Sequence, residues 1–373
     1  MHEFSEKDFF LKAFHGLTLT VVLSEESDLD HDALAVLKEV MNDLAAHQVK
    51  LLILAQQTGE VTAFLDRLVS AFLTGEIVRL QLVRETIPVA LWRLPAVFMI
   101  CEMAAQSADH FLEQVSMLGV TLRLPRVLVM HRMGGADWLD RHGKSLSFVN
   151  PTRLKHLLQH KGAQDGHTGM HWRLQETILT WLLGGVGAVS VCRLQDLARE
   201  LFSYEGDGVF CARRHYCQVR RLQLDDYARA AAVIRRGEQE GFLLPRTDTE
   251  LTDVLVQGYG AFIAEHHLSG VCALVTAPYQ SRNAGEITAL YALTRFQGEG
   301  VGGRLVTRLI QEARLRHLEL LFACVRDPRA VAFFEHHGFR RVAHESLPEE
   351  KWRHYDPERK ARITCLARSP GGA

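Results

Sequence analysis

The chain has 373 residues, with 43 Lys plus Arg against 44 Asp plus Glu, a length that suggests two domains. With 47% apolar and 23% charged residues its composition is that of a globular protein, which excludes disordered, collagen-like and disulfide-scaffold classes. The net charge of −1 gives no global case for nucleic-acid binding.

That neutral total is divided. Residues 1–212 carry 19 basic and 25 acidic side chains and residues 213–373 carry 24 and 19, so the second part is the one suited to anionic ligands. The N-terminal MHEFSEKD has no apolar core of a signal peptide. The longest apolar stretch, Ile87 to Ala105, is broken by Arg93, Pro95 and Glu102 and reads as buried core, not as a membrane span. Seven scattered cysteines without an export signal imply reduced thiols in a cytoplasm.

In chain order, Leu17 to Leu23 (LTLTVVL) reads as a strand, His31 to Ala46 as a helix with Asp30 as N-cap, and Val49 to Ala55 as a second, near-continuously apolar strand. Strand, helix, strand at this spacing predicts a βαβ unit in a buried parallel sheet. Arg126 to Met130 is another such strand. Leu174 to Leu183 is helical and stops at Gly184-Gly185, a helix C-cap, and Val186 to Cys192 is a last strand. Ser203 to Arg214, rich in turn-formers, is the expected linker. Beyond it the pattern gives helices at Asp225–Glu240 and Asp248–Val256 and an antiparallel pair, Gly260–Glu265 and Val271–Ala277, joined at His266–Gly270. A strand at Glu286–Leu293, a helix at Gly300–His317, a strand at Glu319–Val325, a helix at Asp327–His337 and a strand from Phe339 to Val342 complete the pattern.

The strongest local motif is Gln297-Gly298-Glu299-Gly300-Val301-Gly302-Gly303-Arg304, between a strand and a helix. Glycines let the backbone approach a ligand, and N–H groups converge at a helix N-terminus whose dipole favours negative charge. This is the chemistry of a pyrophosphate site. Gly298, Gly300 and Gly303 satisfy the dinucleotide pattern G-x-G-x-x-G, with Asp327 as a ribose partner. Gln297, Gly300 and Gly302 satisfy Q/R-x-x-G-x-G/A, the acetyl-CoA loop of the GNAT N-acetyltransferases. A dinucleotide fold puts its loop after its first strand, whereas here two helices and a hairpin come first. DPRAVAFFEHHGF (327–339) also fits the GNAT order of helix, aromatic pair and Gly-Phe.

Residues 219–366 thus resemble a GNAT domain. LPEEKWRHYDPERKAR (347–362) and GFLLPRT (241–247) resemble segments of the N-acetylglutamate synthase family, and the linker words ELFS (200–203) and Glu205 to Gly208 resemble its interdomain signature. That family carries an amino-acid-kinase-like domain in front, which Phe14–Leu23, Val127–Leu146, Gly169-Met170 and Leu174–Cys192 resemble in shortened form. The resemblance implies an α/β protein. Residues 1–212 would form a reduced, parallel-sheet, amino-acid-kinase-like domain, and residues 213–373 a GNAT domain with a mixed, mostly antiparallel sheet. Where an active kinase of that fold has Lys and two glycines after its first strand, this chain has Leu23-Ser24-Glu25-Glu26, and the later Lys is Arg173. Phosphoryl transfer is therefore expected to be lost, leaving a structural, regulatory or oligomerisation role.

The resemblance further implies direct acetyl transfer from acetyl-CoA to the α-amine of L-glutamate in a ternary complex, the first step of arginine biosynthesis. Its expected partners are small molecules and a second copy of the chain, with no metal, nucleic acid or membrane. Glu286 is the expected base, and backbone N–H groups at Ala292 and Leu293 the expected oxyanion donors. Leu293 and residues Gln297 to Arg304 would hold the cofactor, and Arg246 and Arg359 the substrate carboxylates. Phe333 and Phe334 stand where this superfamily often has an acidic Tyr. Asn283 and Ala361 depart from the family's Lys and Ser, and leave open an acetyltransferase for another amino acid or amine, or a non-catalytic sensor. Cys211, His215 and Cys217 match no zinc spacing. His266-His267 and His336-His337 read as exposed turns.

Overall fold

The computed structural model describes residues 5–72, 77–82, 97–136, 138–139, 143, 145–160, 170–203, 206–213, 217–263, 267–293, 296, 300–353 and 355–371. The chain divides into two compact units, residues 5–216 and 217–373. No helix among the described residues is long and apolar enough to cross a membrane.

The first unit is built on β1 (Thr18–Leu23), β2 (Lys50–Gln56), β3 (Ile77–Leu82), β4 (Phe98–Met103), β5 (Arg126–Met130), β6 (Phe148–Val149), β7 (Ala188–Cys192) and β8 (Val209–Ala212). Their order in the sheet is β3-β4-β2-β1-β5-β7-β8-β6, parallel throughout except between β7 and β8. Its helices are α1 (Glu6–Phe14), α2 (His31–Ala46), α3 (Gly59–Val69), α4 (Ala108–Leu122), α5 (Pro151–His160), α6 (Met170–Gly184) and α7 (Leu197–Phe202). Every position of β4 and β7, and every position of β1 after the first, is shielded or nearly so. That requires cover on both faces, which is why these strands read as unbroken apolar runs. Helix α2 starts where its cap predicts: Asp30 Oδ1 accepts from the Ala33 N–H at 2.7 Å, and Leu37, Val40, Met41 and Leu44 are buried.

One expectation changes here. The linker assigned to Ser203–Arg214 contains β8, a fully buried strand that pairs antiparallel with β7. Gly208 makes this possible, because a Cβ there would lie 2.3 Å from the Val191 carbonyl oxygen. The apolar stretch from Ile87 lies partly outside the described residues, and its described end is the core strand β4.

The second unit comprises β9 (Cys217–Arg221), α8 (Tyr227–Gln239), α9 (Asp248–Val256), β10 (Gly258–Ile263), β11 (His267–Val275), β12 (Ala284–Ala292), α10 (Val301–Leu315), β13 (Leu320–Val325), α11 (Pro328–His336), β14 (Arg340–Val342), α12 (Pro357–Ala361) and β15 (Thr364–Arg368). The sheet order is β14-β15-β13-β12-β11-β10-β9, antiparallel except for the central pair β12 and β13. The expected hairpin is longer than its sequence suggests. His267 to Gly270 belong to β11 instead of a connection, and His267 is buried with its ring edge-on to Phe296 at 5.2 Å. A satellite core of Tyr279, Ala284, Phe322, Leu347, Ile363 and Cys365 holds the C-terminal segment against β12 and β13.

Candidate active site

The site starts where two parallel strands part. The ladder between β12 and β13 holds only from Ala284/Leu320 to Glu286/Phe322. Beyond it, β13 continues to pair with β15 and β12 with β11. In β12, Thr288 opposes Ala273 and Tyr291 opposes Val271. Two residues of β12, Ala289 and Leu290, therefore stand against one of β11, and Ala289 takes φ +52°. This is a bulge, the device that bends a strand away from its neighbour and re-aims the residues after it.

Glu286 occupies the last paired position before the split and is 7% exposed. Tyr279 donates its hydroxyl to Oε2 at 2.6 Å, and the Lys351 ammonium pairs with Oε1. A buried carboxylate requires such partners. Burial pulls the Lys351 ammonium down, but the charge of Glu286, with Cys324 and the hydrogen bond, carries it above the ordinary lysine value. Burial and the neighbouring Glu286 push the Tyr279 phenol up. Lys351 and Tyr279 are functional candidates that the sequence alone does not single out. It shows an unremarkable Lys in PEEKW, and nothing local tells that it meets a carboxylate 65 residues away.

Arg246 lies just before α9 and reaches the same strand. Its Nη2 donates to Thr288 Oγ1 at 3.2 Å and its Nη1 to the Leu244 carbonyl at 3.0 Å. Thr288 is two residues beyond Glu286, so strand alternation puts both on one face. Burial lowers the Arg246 guanidinium from its ordinary value, and the nearby charges of Glu238, Glu250 and Glu286 oppose that shift. Arg359, in α12, is exposed and connects through Tyr355: the ring has Lys351 Nζ 5.4 Å from its centre and Arg359 Cζ at 5.5 Å. The structure thus gathers Glu286 and Arg246 on one strand face and reaches Arg359 through Lys351 and Tyr355. Asn283, where the resemblance implies a Lys, is a left-handed residue at φ +46° whose amide donates to the His317 carbonyl at 2.8 Å. The lysine beside Glu286 comes instead from the C-terminal segment.

Leu293 is corrected as an oxyanion donor. Its N–H donates to the Ser269 carbonyl at 3.0 Å, because the pairing of β11 and β12 resumes after the bulge. Ala292, the other expected donor, ends β12 opposite Gly270.

In the glycine-rich loop, Gln297, Gly298 and Glu299 lie outside the described residues. Gly300 caps α10 at φ +82°, a left-handed conformation that favours glycine. The helical ladder opens with the Arg304 N–H to the Gly300 carbonyl at 3.0 Å, so the N–H groups of Val301, Gly302 and Gly303 precede it and point out of the helix end. Val301 is buried and Arg304 is exposed. Beside this end stands His337, read from sequence as an exposed turn. It is half-buried, its Nδ1 lies 2.8 Å from the Phe333 carbonyl, and a Cβ at Gly303 would come within 3.0 Å of its Nε2.

The corresponding turn in the first unit is closed. After β1, the N–H groups of Ser24, Glu25, Glu26 and Ser27 donate to Ser27 Oγ, Gln56 Oε1, Ser24 Oγ and the Ser24 carbonyl. Glu26 is also paired with Arg132. The turn spends its donors on the protein and carries two carboxylates, the opposite of a phosphate cradle. Among the described residues no group of three or more His, Cys, Asp or Glu is placed to hold a metal ion.

Residues 220–339 match the acetyltransferase (GNAT) family. The chain is 28% identical over 190 residues to an amino-acid acetyltransferase of Edwardsiella ictaluri, covering 48% of this chain and 42% of that protein. It is 26% identical over 258 residues to one of Shewanella oneidensis, covering 68% and 56%. The chain therefore spans about half the length of these curated relatives. In fold it is similar to N-acetylglutamate synthase from Neisseria gonorrhoeae, solved with coenzyme A and L-arginine, with TM-score 0.59, 18% identity and coverage of 98% of this chain and 97% of that one. The splayed central strands, the bulge and the glycine-capped helix all fall within the segment that matches the GNAT family.

Proposed function

We propose that this chain transfers the acetyl group of acetyl-CoA to the α-amine of an amino acid, with L-glutamate as the acceptor, directly within a ternary complex and as the first step of arginine biosynthesis. The observation that carries the proposal is the convergence of Glu286 and Arg246 on one face of β12, at the point where β12 and β13 separate.

The groups present define the chemistry. An α-ammonium must lose a proton before its nitrogen attacks the thioester, and Glu286 is the carboxylate on hand to receive it, directly or through water. Two of its lone-pair positions are taken by Tyr279 and Lys351, and a carboxylate has about four. The thioester oxygen gains charge as the tetrahedral intermediate forms, and the Ala292 edge of β12 is where a backbone donor would meet it. The pyrophosphate would rest on the N-terminus of α10, with Gly300 and Gly302 admitting its approach. Arg246 and Arg359 would fork the carboxylates of the acceptor. The first unit would act as scaffold or oligomerisation surface.

A second acceptor remains in play because Asn283 is committed to backbone support and position 361 is Ala. Incubating the full chain with acetyl-CoA and a panel of amino acids, and weighing the products, separates the two. N-acetylglutamate as the dominant product supports the proposal. A different acetylated amino acid reassigns the acceptor, and tight acetyl-CoA binding with no acetylated product contradicts catalysis.

A further inference from the structure

Two of the seven cysteines stand opposite each other at the edge of this site. Cys324 on β13 and Cys365 on β15 are register partners in an antiparallel ladder. Such partners have Cα atoms about 4.5 or 5.5 Å apart, inside the window of about 4.4–6.8 Å that a disulfide spans. Cys324 is half-buried and Cys365 is buried in the satellite core that anchors the C-terminal segment. Both thiols are free. Cys324 and Tyr355 pack against the same satellite core, which includes Tyr279, the hydrogen-bond partner of Glu286. Nothing in the proposed acetyl transfer uses either sulfur.

We infer that Cys324 and Cys365 form a peroxide-responsive dithiol that closes to a cross-strand disulfide beside Glu286 and Lys351 and slows acetyl transfer. The two thiols differ in a useful way. The interaction of the two facing thiols raises Cys324 and lowers Cys365 from the ordinary thiol value. Cys365 is thus the better thiolate, and its ladder partner Cys324 is the resolving thiol. Its thiolate attacks one oxygen of hydrogen peroxide. The O–O bond breaks, one proton is taken up, and water leaves behind a sulfenic acid on Cys365. The Cys324 sulfur then attacks the Cys365 sulfur. The S–O bond breaks, the Cys324 proton goes to the departing hydroxyl, and a second water leaves. Two thiols and one peroxide give one disulfide and two waters, a two-electron oxidation of the protein. Closure draws the Cys324 sulfur toward β15 and away from Lys351, which disturbs the partner of Glu286. The effect on rate rests on the acetyltransferase proposal, whereas the disulfide does not.

The test treats the full chain with hydrogen peroxide, blocks remaining thiols, and combines peptide mass mapping with the rate of acetyl transfer before and after dithiothreitol. The expected result is a linked Cys324–Cys365 peptide pair and a loss of rate on the order of tenfold, as small displacements at a reacting centre produce, reversed by dithiothreitol. Cys324→Ala and Cys365→Ala, each compared with its own untreated rate, should lose that response. Cys217→Ala, which removes the other half-buried thiol, should keep it. Absence of the linked pair, persistence of the response in Cys365→Ala, or linkage with an unchanged rate overturns the inference. A linked pair in a chain that transfers no acetyl group before oxidation contradicts the acetyltransferase proposal and leaves the dithiol standing.

Discussion

The proposed base, Glu286, is paired with the half-buried Lys351, and that pairing defines the residue scale of this site. Glu286→Gln should lower kcat by about 10²–10⁴-fold, the usual worth of a positioned proton acceptor, as read by steady-state thiol release. It also strands Lys351, whose side chain is 14% exposed. Removing one partner of a buried pair costs about 3–5 kcal/mol, so the chain should also melt earlier. The double change Glu286→Gln with Lys351→Met should recover stability without recovering rate. The lysine gives a pH signature as well. Its folded value is raised above the ordinary 10.5. Its stabilising contribution is therefore fully present below about pH 10.5 and lost as pH rises through the higher folded value. Urea titrations above pH 10.5 should show the unfolding free energy of the wild type falling more steeply than that of the double variant; parallel slopes would contradict the pairing. Glu286 and Arg246 are legible in sequence because each sits in a recognisable local context. Lys351 and Tyr279 are not, because their contacts are made by the satellite core that folds the C-terminal segment back onto β12 and β13.

At the scale of elements, the proposed function rests on α10 and β12. Gly300 holds a left-handed conformation at the N-cap of α10, a conformation that costs an L-residue about 1–2 kcal/mol. Gly300→Ala should lower stability by about that amount and, by moving the first turn's N–H groups, raise the KM for acetyl-CoA more than it changes kcat. An unchanged KM would remove the helix end from the cofactor site. The glycine loop announces itself in sequence because glycine is needed where it stands. The bulge does not: it falls on Ala289 inside EITALYAL, a run that reads as a plain strand. For that reason Leu293 looks available as a donor in the sequence when its N–H is committed to Ser269. The length of β11 is hidden in a similar way, since His267 and Gly270 resemble a turn but are ladder residues here.

At the scale of the whole molecule, the opposed charges of the two parts accompany two different sheets. The parallel core strands of the first unit are legible because burial on both faces leaves continuous apolar runs, as in β1, β2 and β5. Strand β8 is not, because the glycines before it signal a linker while in fact Gly208 lets the chain pass close to Val191. The self-satisfied turn at Ser24 to Ser27 predicts that ATP neither raises the melting temperature of the full chain nor is hydrolysed by it. A melting shift that grows with ATP concentration would contradict this. The proposed acetyl transfer at Glu286 is tested most directly by free-thiol release from acetyl-CoA with L-glutamate as the only acceptor. Release should saturate with glutamate in the wild type and fall at least about a hundredfold in Glu286→Gln. Release in the wild type that does not exceed the rate without glutamate, or that is unchanged in the variant, would contradict it.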